Sequence, residues 1–338
     1  MRPILVLLLV ASTAHANVWQ RALDRGSPDP QQDVYDSEMK AGDESAMQAN
    51  AKGASYKTIR TLVDHAVRSY RSASAAKPNA AEPYYRIGRV LYSFYFECDD
   101  VQTIASASPL CIGQSTTLFD RKHAQEIIAA WDAFEARAPL DPRLSVNLGE
   151  TEILFRRAIL NTKLSGKANL EAAAKDYEKI LARSDTAGDV SETVWSNLAE
   201  TYMMLGRLED AIDMYHEALR RGPSISTLYG LAVALDRDER TAAAVDLIQS
   251  QGMMALQQFH AAVMQGGTFF VPRGEEYYYF ALAHEAFGET DEAIEYWQKY
   301  IQSGAHPEFQ PRARAHLAAL APKKHHGLPR APWQELLP

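Results

Sequence analysis

The sequence is short of the residues that most directly announce chemistry. It has two cysteines among 338 residues, Cys98 and Cys111, and without two nearby histidines they do not complete a tetrahedral zinc site. It has no H-E-x-x-H, no nucleophile elbow, no P-loop and no G-x-G-x-x-G after a strand. No catalytic residue, metal or cofactor is assigned on these grounds. A basic surplus is also missing: 35 Lys and Arg stand against 43 Asp and Glu, a net charge of −8. That balance argues against a nucleic-acid partner, which calls for a basic face. Beyond the first residues no stretch is apolar enough to cross a bilayer. Glycine is modest at 18 residues, while Leu, Ala and Tyr are common, so helices are favoured over strands.

What is present begins with an export signal. Met1-Arg2-Pro3 supplies one positive charge, Ile4 to Ala11 an apolar run, and Ala14-His15-Ala16 an A-x-A end. This order describes a secretory signal peptide over residues 1–16, with Asn17 as the mature start. The alternatives are an uncleaved anchor or a buried N-terminal helix. No Cys follows the cleavage point, which argues against a lipid anchor. The chain is therefore expected in the periplasm or the medium, with no stable membrane insertion once the signal is removed. An even cysteine number in an exported chain suggests a Cys98–Cys111 disulfide. Its loop is short, so the bond contributes about 3 kcal/mol at best. Two unrelated thiols are the alternative.

Internal repeats decide the rest. From Glu192, Trp195, Leu198, Ala199 and Tyr202 take helical spacing, then Ala211, Tyr215 and Ala218, then Pro223. Small Ala199 and Ala211 allow two helices to approach, and the large rings fill the spaces between them. Gly206 suits a helix end and Pro223 prevents continuation. The pattern resembles the tetratricopeptide repeat of 34 residues, with its Trp, Leu, Gly, Tyr, Ala, Phe and Pro signature. Other copies share the register. Ala66, Tyr70, Ala73 and Pro78 close an earlier unit, and Tyr84, Ile87, Gly88 and Leu91 open the next at Ala81. Its second half, Ile127, Trp131, Phe134 and Pro139, arrives late, which predicts a loop insertion at about 96–121 holding both cysteines. A further unit is predicted from Pro142 through Leu148 and Gly149 to Ala173, Tyr177 and Ile180, with a second insertion at Asn161 to Glu171. Gly230, Leu231, Ala243 and Leu247 fit another copy approximately. The last good unit has Tyr277, Phe280, Ala281, His284, Gly288, Ala293, Trp297 and Tyr300, followed by a closing helix at Arg312 to Ala321.

The resemblance covers residues 55–321 and implies an all-α solenoid of helical hairpins wound as a right-handed superhelix. Residues 17–54 read as a polar leader with a possible cap helix at 33–49, and 322–338 as a disordered tail. By the same resemblance, first helices line a groove that takes a protein or peptide. Its candidate side chains are Tyr85, Arg89 and Tyr92, then Ser196, Glu200 and Met203, then Tyr278. The Lys and Asn cluster of a carboxylate clamp is missing. The expected function is an exported, non-catalytic scaffold or adaptor. The alternatives are a self-associating envelope component, or a small-ligand or enzymatic role for the 96–121 insertion.

Single features carry plainer readings. Asp236-Arg237-Asp238-Glu239 lacks the glycine and glutamate of a calcium loop and is expected as a solvated turn. His284 is expected as a packed histidine bonded to a neighbour. Met203, Met204, Met253 and Met254 are expected mostly in the core. Gly266-Gly267 through Pro272 combines a hinge with an apolar tip.

Overall fold

The computed structural model describes residues 29–51, 54–96, 120–138, 150–183, 191–264 and 272–320. The expected signal peptide, the Cys98–Cys111 bridge, almost all of the 96–121 insertion, Gly266 to Val271 and the tail from 322 lie outside the described residues. Among those described there is no strand. The chain divides into two compact units, Met1–Glu150 and Thr151–Pro338.

The first unit holds α1 (Pro30–Ala49), α2 (Tyr56–Ala76), α3 (Glu82–Tyr95) and α4 (Arg121–Arg137), each packed on the next. Their starts follow local chemistry. Pro30 fits the first turn of α1, and Asp29 accepts a hydrogen bond from the Gln31 backbone N–H at 3.0 Å. Ser55 accepts from Thr58 N–H at 3.1 Å and Asp120 from His123 N–H at 3.0 Å. Each cap satisfies an otherwise orphaned donor and contributes about 1 kcal/mol. α1 begins three residues before the predicted helix at 33–49 and packs along α2 as the first helix of a hairpin. Tyr70 of α2 lies over Gly42 of α1, where a Cβ would come within 2.7 Å of the ring.

The second unit holds α5 (Glu150–Leu164), α6 (Lys167–Arg183), α7 (Glu192–Met204), α8 (Leu208–Arg221), α9 (Ile225–Arg237), α10 (Thr241–Gln251), α11 (Met253–Met264), α12 (Glu276–Ala286), α13 (Thr290–Ser303) and α14 (Gln310–Leu320). One contiguous apolar core runs through it from Leu154 to Ala313. A stacked hairpin has two faces to bury, so each pair leans on the next and the core becomes continuous. α14 covers the final pair.

The second helices share one signature. Ala66, Ile127, Ala173, Ala211, Ala244 and Ala293 are all fully buried, and four residues later stand Tyr70, Trp131, Tyr177, Tyr215, Ile248 and Trp297, none more than 2% exposed. The small residue lets the helices touch, and the large one fills the space one turn on. Two predicted registers change against this ruler. Asn161 to Glu171 is not an insertion: α5 continues to Leu164, turns at Ser165 and Gly166 with φ of 56° and 82°, and α6 begins at Lys167. Leu160 and Leu164 take the core positions assigned to the stretch near Leu148. In the copy formed by α9 and α10 the buried pair is Ala244 and Ile248, one residue beyond the expected Ala243 and Leu247. Gly230 misled that assignment. It is buried because the Tyr215 ring lies against it, with a Cβ there 2.6 Å from Cζ.

Candidate binding surface

The hairpins divide burial unequally. α8 turns Glu209, Asp210, Asp213, His216 and Arg220 to solvent, as an amphipathic helix should. α1 also shows such a side, with Asp33, Asp36, Lys40 and Glu44 in solvent, but the first helices after it have almost none. Across α3, α7, α9 and α12, Thr193 is the one exposed residue. Their remaining surface consists of half-buried side chains.

The expected groove residues meet different fates there. Tyr85 and Arg89 are half-buried on α3, with the Tyr85 ring 5.7 Å from Phe134. Tyr92 is buried, its ring 5.7 Å from Trp131. On α7, Ser196 and Glu200 stay half-buried. Glu200 accepts hydrogen bonds from the hydroxyls of Tyr215 (2.6 Å) and Tyr279 (3.0 Å), so it ties α7 to α8 and α12. Met203 and Tyr278 are corrections: both are fully buried and cannot meet a partner. Met203 joins the core. The Tyr278 ring stands edge-on to Trp297 at 4.7 Å and Tyr300 at 5.0 Å.

The remaining repeat residues line the hairpin interiors. Leu198, Ala199, Tyr202, Ala218 and Ala281 are buried, while Pro223 and Gly288 sit exposed at helix ends. Gly206 and Gly288 adopt φ of 75° and 74° after α7 and α12, the left-handed turn that glycine makes without a Cβ clash. Tyr84, Trp195 and Tyr277 are half-buried. Tyr84 and Trp195 are covered by a cation from the opposing helix. Arg137 lies 4.4 Å over the Tyr84 ring and Arg221 4.0 Å over Trp195. Each Arg follows the equivalent buried residue of its helix by the same interval, Ile127 to Arg137 and Ala211 to Arg221. That spacing is the signal from which this pairing was readable.

Asp236-Arg237 overturns the expectation of a solvated turn. Both residues end α9, and both are buried. Asp236 accepts from the Tyr278 hydroxyl (2.6 Å), Thr241 Oγ1 (2.7 Å) and Arg312 Nη2 (2.9 Å). His316 of α14 places Nε2 3.0 Å from Asp236 Oδ2 and Nδ1 2.9 Å from Glu285 Oε2. Two carboxylates on two ring nitrogens require the imidazolium, since the neutral ring has one donor. Burial opposes that charge, but the bonds to Asp236 and Glu285 outweigh it and raise the His316 pKa to about 9. Burial likewise disfavours ionised Asp236, and its bonds from His316 and Arg312 hold it well below the usual carboxylate range. Trp297 donates to Glu285 at 2.9 Å and stacks on His316 at 4.7 Å. Arg237 pairs with Glu275 at 2.6 Å, both side chains fully buried. These contacts fasten α14 and α12 to the end of α9. Met203 and Met204 are buried, whereas Met253 and Met254 are exposed, against expectation. His284 bonds Glu289 at 2.6 Å and stacks on Tyr296.

Family models decide what the hairpins are. One described as tetratricopeptide repeat matches residues 193–225, and a second of the same description matches 277–303. The chain carries tetratricopeptide repeats. Repeats of this kind are protein-interaction scaffolds that take proteins or peptides, and they are in general non-catalytic. No curated protein matches this tetratricopeptide-repeat chain in sequence. Solved structures similar to it include the MamA protein, 16% identical with TM-score 0.42 over 71% of this chain and 100% of that one. MamA from Desulfovibrio magneticus RS-1 is 15% identical with TM-score 0.42 over 65% and 96%. Pseudomonas aeruginosa PilF is 12% identical with TM-score 0.41 over 86% and 99%. Among the described residues of this tetratricopeptide-repeat protein, no group of three or more His, Cys, Asp or Glu is placed to hold a metal ion, and no helix is long and apolar enough to cross a membrane.

Proposed function

We propose that this protein is an exported, non-catalytic adaptor that holds a protein or peptide partner on the face lined by its first helices. The observation that carries the reading is the unequal burial of the hairpins. Second helices such as α8 show a charged, solvated side, while α3 in the first unit leaves Tyr85 and Arg89 half-buried and α7 in the second leaves Ser196 and Glu200 half-buried. Aromatic and neutral polar side chains of this kind bind with modest entropy loss. A net charge of −8 favours a partner surface that is not acidic, and disfavours nucleic acid.

A photo-crosslinking residue at Ser196 or Tyr85 tests the face, with Asp213 and Gln125 on second helices as controls. The first pair should capture a discrete partner in intact cells and the controls should not. Equal capture from both faces, or none from the first pair, removes the reading. Export rests on residues 1–16, and N-terminal sequencing of the chain from fractionated cells should read Asn17. A full-length chain starting at Met1 in the cytosolic fraction contradicts export. Counting reactive thiols on unreduced, folded protein decides Cys98–Cys111: zero is expected, and two refutes the bridge.

A further inference from the structure

Helix α11 interrupts the chain where the pair α9–α10 would pass directly to α12. The stack does not notice the interruption, because α12 still packs on both α9 and α10. α11 instead lies on α9. Phe259, its one fully buried ring, stacks on Tyr229 of α9 at 4.4 Å and 14°. The same ring lies 5.9 Å from Tyr279 and 5.7 Å from Phe280 of α12. All three receiving rings belong to first helices. α11 therefore sits on the face proposed to take partners, and α9 beneath it has no solvent side from Tyr229 to Arg237.

Two observations distinguish α11 from a helix built only to fill the core. Its hold is narrow: Ala255, Leu256 and Phe259 are its buried residues, while Met254 is 65% and Met264 73% exposed. The face beneath it is also incompletely satisfied. The Tyr229 hydroxyl is buried with no hydrogen-bond partner among the described residues, and burial alone pushes its pKa up to about 12. Packing by itself is served equally well by Phe at that position, so the hydroxyl is polar capacity that α11 leaves unused. Gly252, in the left-handed region at φ 76°, supplies a turn at the start of α11.

We propose that the face formed by Tyr229, Tyr279 and Phe280 is a binding site for an amphipathic helix of a partner protein bearing an aromatic anchor, and that α11 occupies this site in cis with Phe259 as the anchor. The proposal rests on the first-helix face being the binding face. A partner helix then competes with α11, and its apparent affinity falls by the fraction of chains in which α11 is closed.

The test uses the full chain and a labelled peptide of the α11 sequence, Met253 to Met264. Wild-type protein should bind it weakly. A protein carrying Leu256→Ser and Phe259→Ser, with α11 detached, should bind it about tenfold or more tighter. A peptide with Phe259→Ser should lose that gain. Native-state hydrogen exchange on the wild type provides the second measurement, independent of whether the variant folds. α11 amides should exchange about tenfold or more faster than those of α9. Equal protection of α11 and α9 makes α11 an integral core helix and overturns the proposal, as does a folded double variant that ignores the peptide. Either failure with Ser196 crosslinks retained removes this site and leaves the adaptor reading intact. Loss of the crosslinks removes the adaptor reading itself.

Discussion

Gly88 lies directly beneath the indole of Trp131, so close that a Cβ would stand 2.7 Å from Cε2. The two residues sit on opposite sides of the residues at 97–119 and still make the contact that joins α3 to α4. Gly88→Ala must therefore push the indole out of a packed site, and should cost about 1–3 kcal/mol in urea unfolding. Gly222→Ala is the control. Its nearest neighbour, Glu192 Cβ, is 3.6 Å away and its φ of −167° suits any residue. It should leave the midpoint almost unchanged.

The His316 imidazolium makes stability fall on the alkaline side. Its folded pKa is raised from 6.5 to about 9, so its contribution is fully present below pH 6.5 and is lost as pH rises to about 9. The shift corresponds to about 3 kcal/mol. Denaturant titrations from pH 6 to 10 should show this decline, and His316→Gln should flatten it. Asp236 runs the other way. Its lowered pKa gives stability above the ordinary carboxylate range that is lost as pH falls below it.

Two tyrosines one residue type apart from phenylalanine should respond differently. Tyr229→Phe removes a buried hydroxyl without a partner among the described residues and should be neutral or stabilising. Tyr278→Phe removes the donor 2.6 Å from Asp236 and should cost about 1–3 kcal/mol. Paired thermal and urea unfolding of both variants measures the contrast.

Arg157 and Asp176 face each other across the pair α5–α6 in a two-pronged ion pair, with both contacts at 2.7 Å and both side chains buried. Asp176→Ala leaves a buried guanidinium without its carboxylate and should cost about 3–5 kcal/mol. Replacing both with Arg157→Met and Asp176→Leu should recover much of that loss. A double variant as unstable as the single one would show that the pair's own attraction dominates.

Much of the fold was legible in the residue order because hairpin packing is local. Ala211 and Tyr215, or Ala293 and Trp297, announce a second helix by size and spacing alone, and the same ruler put Gly88 and Trp131 in one unit. Where side chains of like size stood one residue apart, the order was ambiguous. Ala243 and Ala244 are equivalent to a pattern, and packing in the stack buries Ala244 and leaves Ala243 exposed. The same limit applied to the candidate groove residues. Tyr277, Tyr278 and Tyr279 are consecutive, and helix rotation set by packing buried Tyr278 while leaving Tyr277 half-buried.

The sequence by itself determined the helical hairpins and their period, since periodic size and helix-ending Gly and Pro act within a few residues. Tertiary structure alone decided the burial of Asp236 and Arg237, because their partners Glu275, Tyr278, Arg312 and His316 come from distant helices that meet only in the stack. It also decided where α11 lies. A twelve-residue apolar helix without a charged side carries no address of its own, and its position follows from three aromatic rings that α9 and α12 bring together.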